Sequence, residues 1–145
     1  MKSLFLSLVA TLVLTPQLLF ANPVPGLLGK WDAERVLLGR GVQFHLTFDF
    51  TETQTELTVH CLFTDGTHLS SSANSSVVYN VNEIFLQESK QVITDDGVHF
   101  CRATLSPTKW TAYFNGAGKM VLFVPAPYQA QFDLIPHIAY PNSVL

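Results

Sequence analysis

Charged residues are scarce in this chain. Asp, Glu, Lys and Arg make up 13% of its 145 residues, with 8 basic against 11 acidic side chains, and the basic ones form no cluster. Nucleic acids and anionic membrane surfaces attract proteins through clustered Lys and Arg, so the sequence excludes both as partners. Hydrophobic residues reach 48%, which gives the chain enough apolar surface to fold and excludes an intrinsically disordered protein.

Motifs of common catalytic sites are also missing. Neither G-x-S-x-G nor H-E-x-x-H occurs, and NGAGK at Asn115–Lys119 lacks the glycine spacing and the following helix of a phosphate-binding loop. The histidines lie on separate segments and are predicted to be solvated: His45, His60, His68, His99 and His137. We therefore expect a protein that is not an enzyme and that holds no cofactor and no metal ion.

Long apolar runs are confined to the N-terminus. Lys2 is followed by an apolar run from Leu4 to Leu14, then by Pro16 and by the small residue Ala21. This order is typical of a secretory signal peptide, and the run is shorter than the roughly 20 residues of a membrane-spanning helix. We predict a signal peptide at 1–21 and an exported protein, periplasmic or extracellular, with no membrane anchor after cleavage. No Pro-rich or Gly/Ser-rich spacer divides 22–145, which predicts a single domain.

Only two cysteines occur, Cys61 in TVHCLF and Cys101 in GVHFCR, and each has a histidine nearby. Such pairs suit a disulfide, a metal site or a catalytic thiol. An exported protein meets an oxidising environment, where two cysteines normally pair. In a strand, His60 and Cys61 point to opposite faces while His99 and Cys101 share one, so a metal site would have a ligand aimed away. The sequence predicts a disulfide, which also excludes a cysteine nucleophile.

Alternation of apolar and polar residues predicts strands along the whole chain. In VQFHLTFDF, at Val42–Phe50, every second residue is apolar, as in a strand with one buried face. The predicted strands are 30–37, 42–50, 56–63, 69–79, 84–87, 98–105, 110–114, 120–124 and 131–135. They indicate an all-β protein, a single antiparallel up-and-down barrel of about eight strands, with a β-sandwich as the alternative. The serine-rich strand 69–79 is predicted to be a polar sheet edge.

The first predicted strand begins with a Gly-x-Trp motif, formed by Gly29 and Trp31. With this motif the chain resembles the lipocalin and calycin barrels. Its pattern is similar to the short bacterial lipocalin-like domains over most of 22–145, through KWTAYFNGAGKMVLFVP to the closing QFDLI. The resemblance implies that Gly29 and Trp31 are structural residues and that Trp31 closes one end of the barrel.

A barrel of about eight strands can either be filled by its own side chains or hold one small ligand. We expect the protein to bind a small lipophilic ligand. The alternative is a filled barrel whose loops contact another protein, as in an enzyme inhibitor. The candidate ligand-lining residues, which would otherwise simply fill the core, are Phe44, Leu46, Phe48, Leu57, Val59, Tyr79, Leu86, Phe100, Trp110, Ala112, Leu122 and Phe132.

Export can be tested at the N-terminus of the mature protein. Because the cleavage signal ends at Ala21, material recovered outside the cytoplasm is expected to begin near Asn22. N-terminal sequencing of that material is the measurement. Exported protein that retains Met1 would contradict the signal peptide.

Overall fold

A computed structural model describes residues 23–33, 37–125 and 129–138. The predicted signal peptide and its cleavage site lie outside these ranges. The described ranges contain strands and turns but no helix, and therefore no helix of the length and hydrophobicity needed to cross a membrane.

The strands of the described residues follow the predicted alternation closely. They are β1 (Gly29–Ala33), β2 (Leu37–Gly39), β3 (Val42–Phe50), β4 (Gln54–Phe63), β5 (His68–Asn80), β6 (Glu83–Leu86), β7 (Lys90–Asp95), β8 (Phe100–Leu105), β9 (Lys109–Phe114), β10 (Met120–Val124) and β11 (Ala130–Pro136). The single opening strand predicted at 30–37 is described as β1 and β2, with the residues between them outside the described ranges.

Eight antiparallel strands close into a barrel. Hydrogen-bonded neighbours run in the order β1, β11, β10, β9, β6, β5, β4 and β3, and β3 pairs again with β1. Trp31 is the closing point, since it lies opposite Phe48 on β3 and opposite Pro136 on β11. The strand β2 also pairs with β3, along its first three residues, Val42–Phe44. The all-β barrel of eight strands is confirmed, and the sandwich alternative is wrong.

A hairpin formed by β7 and β8 is inserted between the barrel strands β6 and β9. It packs against β4 and β5. Strands β5 and β7 belong to different sheets and are joined by hydrogen bonds from side chains to the backbone. The Ser71 hydroxyl donates to the Val92 carbonyl at 2.8 Å, and the Thr94 hydroxyl donates to the Ser70 carbonyl at 2.7 Å. The hairpin is therefore anchored over β5 by serine and threonine hydroxyls.

The prediction that the serine-rich strand is a sheet edge was wrong. Strand β5 pairs with β4 along most of its length and with β6 at its end. Ser71 and Ser75 are buried, because their side chains point to the inner face, where the hairpin covers them. The small size and the hydroxyls of these residues serve packing inside the barrel rather than solubility at an edge.

The predicted disulfide between Cys61 and Cys101 is confirmed. Its S–S distance is 2.02 Å, it links positions 40 residues apart, and both residues are buried. The bond joins Cys61, near the end of β4, to Cys101, at the start of β8. In the chain-entropy account, a loop of this length stabilises the folded state by about 4 kcal/mol.

One end of the barrel is closed by aromatic packing. Trp31 is 7% exposed, and its indole Nε1 donates to the Leu27 carbonyl at 2.8 Å. Its ring centroid lies 5.8 Å from that of Phe114. Leu27 is fully buried beside it. We call this the closed end; the other end, where β3 and β11 begin, is the open end.

Replacement of Trp31 by Ala is expected to lower the free energy of unfolding by about 3 to 5 kcal/mol, because it leaves a large cavity at the closed end. Trp31→Phe is the matched control. It keeps an aromatic ring and loses the hydrogen bond to Leu27, which is worth about 1 kcal/mol. Urea denaturation of the three proteins measures the difference, and equal stability of the Ala variant would contradict the role of Trp31.

Candidate functional site

The barrel interior holds a partly enclosed apolar cavity of about 260 Å³ at the open end. Five of the predicted ligand-lining residues surround it together: Leu46, Phe48, Leu57, Trp110 and Phe132. The end of the hairpin, at Leu105 and Ser106, forms another part of its wall. We call this space the barrel cavity.

Aromatic packing and one indole give the barrel cavity its chemical character. The ring of Phe48 stands edge-on to that of Trp110 at 6.0 Å and lies 5.7 Å from that of Phe132. Trp110 is 4% exposed, and its buried Nε1 has no hydrogen-bond acceptor among the described residues. A buried donor without a partner costs about 1 to 3 kcal/mol. The site is thus an apolar space, and Trp110, one of its wall residues, carries a buried donor without a partner among the described residues.

Six other candidate residues face the interior or its ends but do not line the barrel cavity. Val59, Leu86, Ala112 and Leu122 are buried core residues. Phe44 is partly buried at the open end. Tyr79 is buried, and its hydroxyl donates to the Thr51 carbonyl at 2.6 Å; burial also raises the pKa of its hydroxyl. These residues fill space and fix the barrel.

Phe100 does not face the interior, contrary to the prediction. It is 60% exposed, while its neighbours Cys101 and Ala103 are buried. The sequence offers two competing inward faces for this strand, one with Phe100 and one with Cys101. The disulfide and the close packing of β8 on β5 select the face that carries the cysteine, so Phe100 turns towards solvent.

Four histidines, which lie on separate segments of the sequence, share a groove of about 420 Å³ on the outer surface of the barrel with one carboxylate. We call it the histidine groove. Its titratable side chains are Asp32, His45, His60, His68 and His137. Strand register brings them together, since Asp32 lies opposite Thr47 and His45 lies directly opposite His60. The ring centroids of His45 and His60 are 5.7 Å apart, and those of His60 and His68 are 6.1 Å apart.

Among the described residues, Asp32 is the only carboxylate that lines the histidine groove. It accepts a hydrogen bond from Thr47 and lies 2.7 Å from His137 Nδ1 and 3.5 Å from His45 Nε2. Partial burial alone would raise its pKa, but the hydrogen bonds and the nearby imidazoles outweigh burial and leave the pKa of Asp32 below its ordinary value. Asp32 is therefore a carboxylate at neutral pH.

His60 pairs with a serine hydroxyl in the same groove. Its Nδ1 lies 2.9 Å from Ser70 Oγ. Burial lowers the pKa of His60, and the neighbouring His45 and His68 lower it further. No carboxylate is hydrogen-bonded to His60 among the described residues. Among all the residues that the structure describes, no group of three His, Cys, Asp or Glu side chains is placed to hold a metal ion.

A second groove lies at the open end, between the hairpin tip and the turns that follow β2 and β4. Its volume is about 540 Å³. We call it the rim groove, and the residues that define it are Arg40, Phe44, Phe63, Val98, Phe100 and Arg102. The sequence shows aromatic residues near both arginines, but only the fold places the two arginines on one groove.

Comparison of the chain with protein-family models, with curated proteins and with solved structures found no match. The description of the sites therefore depends on their own geometry.

Stability is expected to fall as the pH drops from 7 towards 5, in part through His60. The pKa of His60 in the folded state lies below the unfolded value near 6.5. The contribution of neutral His60 to the free energy of unfolding is therefore complete above about pH 6.5, and it is lost as the pH falls towards the folded pKa. In His60→Asn, the free energy of unfolding should decline less over this interval. Urea titrations at several pH values measure it. Between pH 7 and 8, the plots of unfolding free energy against pH are expected to be parallel for the two proteins. Parallel plots between pH 7 and 5 would contradict the prediction.

Proposed function

We propose that the protein is an exported, lipocalin-like barrel that binds one small lipophilic ligand in the barrel cavity. The observation that carries the proposal is the convergence of five predicted apolar residues on one space. One of them, Trp110, also carries a buried indole donor without a partner among the described residues. Ligand pockets combine apolar walls with a few placed polar groups. The barrel cavity has apolar walls, and Thr104, Ser106 and Thr108 are its polar lining residues.

The size of the cavity defines the class of ligand. At about 260 Å³ it lies just below the usual range of pockets for drug-sized molecules. An apolar cavity of about 150 Å³ accommodates benzene, so this one fits a molecule of about ten non-hydrogen atoms. Micromolar affinity then requires about 0.8 kcal/mol per atom, which is within the ceiling for small ligands.

The indole of Trp110 adds a requirement for a hydrogen-bond acceptor. Once the indole ring shifts to turn its buried Nε1 towards the cavity, a ligand with a carbonyl, ether or hydroxyl oxygen would remove the cost of the unsatisfied donor, whereas a hydrocarbon would leave that cost in place. The preferred ligand is therefore a compact apolar molecule with one acceptor oxygen.

Export is part of the same proposal. The disulfide is compatible with an oxidising compartment, and the predicted signal peptide supports delivery there. In the barrel, the disulfide also fixes the hairpin whose end contributes to the cavity wall. A wall that is rigid before binding reduces the entropy lost when the ligand binds.

Catalysis is not part of the proposal. A catalytic site combines a nucleophile, a base held by a third group and a stabiliser for developing charge. Ser70 and His60 form the first two members, but Asp32 is hydrogen-bonded to Thr47 and His137 rather than to His60. The set therefore has no orienting carboxylate on the His60 imidazole among the described residues.

A second candidate function is contact with another protein through the hairpin tip. Val98 is 83% exposed and Phe100 is 60% exposed at neighbouring positions of the tip. Adjacent exposed apolar side chains are characteristic of interaction surfaces. This observation favours the protein-contact alternative and is independent of the barrel cavity.

Binding in the barrel cavity can be tested with acetophenone, which carries an acceptor oxygen, and ethylbenzene, which does not. Acetophenone is expected to bind saturably, and Trp110→Phe should weaken it about tenfold because the hydrogen bond is lost. Ethylbenzene binding should be unaffected by the substitution. Trp31→Phe, at the closed end, is the matched control. Chemical-shift titration measures the affinities, and absence of saturable binding of both compounds would rule out the ligand-binding proposal.

A further inference from the structure

The rim groove combines aromatic walls with two cations that have no partner among the described residues. Arg40 and Arg102 are exposed, and neither makes a hydrogen bond or an ion pair in the described part of the chain. Lys30 and Lys109, by contrast, pair with Asp49 and Glu83. In a protein with a net negative charge, two unpaired arginines on one groove are a distinctive feature.

Two carboxylates are already paired with His99, which lines the rim groove. His99 Nε2 lies 3.2 Å from Asp65, and His99 Nδ1 lies 3.4 Å from Asp96. Asp96 also accepts hydrogen bonds from the backbone of Val98 and His99. The two acids therefore fix the hairpin tip and leave the guanidinium groups available to a carboxylate from outside.

The hairpin tip is held in place before any partner binds. Gly97 N donates to the Asp95 carboxylate at 2.6 Å, the ring of His99 packs on that of Phe63 at 4.3 Å, and Cys101 follows in the disulfide. Val98 and Phe100 project from this fixed turn into solvent. A surface that is already ordered loses little conformational entropy on association.

We propose that the rim groove docks a segment of another protein in which an acidic residue stands next to an apolar side chain. This inference rests on the second candidate function and names the chemistry of its partner. Guanidinium groups bind carboxylates through paired, charge-assisted hydrogen bonds. Arg and aromatic residues dominate the energetics of protein interfaces. The groove offers both, and its charge is complementary to an acidic segment.

The exposed tip favours a protein over a small anion as the occupant. A small molecule seated between Arg40 and Arg102 would leave Val98, 83% exposed, in water. A protein surface would cover Val98 and Phe100 while its carboxylate reaches the arginines. The apolar tip and the cationic groove are then parts of one interface.

Selection of a random-peptide phage library on the oxidised protein tests the inference. Enriched peptides are expected to carry Asp or Glu next to an aromatic or aliphatic residue. Measured by fluorescence anisotropy, their binding should weaken about tenfold in Arg40→Gln and in Arg102→Gln, as expected for the loss of a charge-assisted hydrogen bond. Lys90→Gln, which removes an exposed cation from β7 outside the groove, is the matched control and should bind like the wild-type protein.

Each other outcome has a defined meaning. The enriched peptides could lack acidic residues, with binding that is lost in Val98→Ser and Phe100→Ser but retained in the arginine variants. That result would overturn the acidic partner and leave the second candidate function intact. Absence of any enriched peptide would overturn both. A stable dimer that Phe100→Ser dissociates would assign the groove to a second copy of the chain and also overturn the proposal. Circular dichroism of each variant verifies that it is folded.

Discussion

The architecture depends on the contact between the inserted hairpin and the inner faces of β4 and β5. Ser71, Ala73 and Ser75 are buried and small enough for the hairpin to pack closely on β5. The Ser71 hydroxyl binds the backbone of Val92 in β7, and the Ser75 hydroxyl binds the backbone of Glu88, just before the hairpin. Larger side chains at these positions would fill the space that β7 and β8 occupy. The same contact narrows the barrel interior to a small cavity and places the hairpin tip beside the turn that leads into β3.

Much of the fold could be predicted because the signals are local. A period of two in stretches such as Val42–Phe50 specifies a strand with one buried face regardless of its neighbours. The disulfide followed from compartment and strand parity rather than from any knowledge of the topology. Five inward residues of the barrel cavity were identifiable in the same way, since alternation assigns a face. Alternation does not say how much of the interior a distant hairpin will fill.

The remaining features depend on which strands become neighbours. Strand β7 was not predicted, because KQVITD contributes only Val92 to the core and most of its side chains are exposed. Alternation places His45 on the outer face of β3. It does not show that His60 lies opposite. Nor does it show that Asp32, on β1, and His137, directly after β11, lie beside them. The histidine groove and the rim groove are both products of register over long sequence separations.

The order of assembly follows from the position of the disulfide. Cys61 and Cys101 are 40 residues apart in sequence, and each lies on a strand that has its own antiparallel partner, β4 with β5 and β8 with β7. Both pairs can form from local contacts, whereas the two sulfurs meet only when the hairpin packs on β4 and β5. Oxidation of the cysteines should therefore be a late event in folding, and a trapped dithiol species would carry the barrel strands with the hairpin undocked.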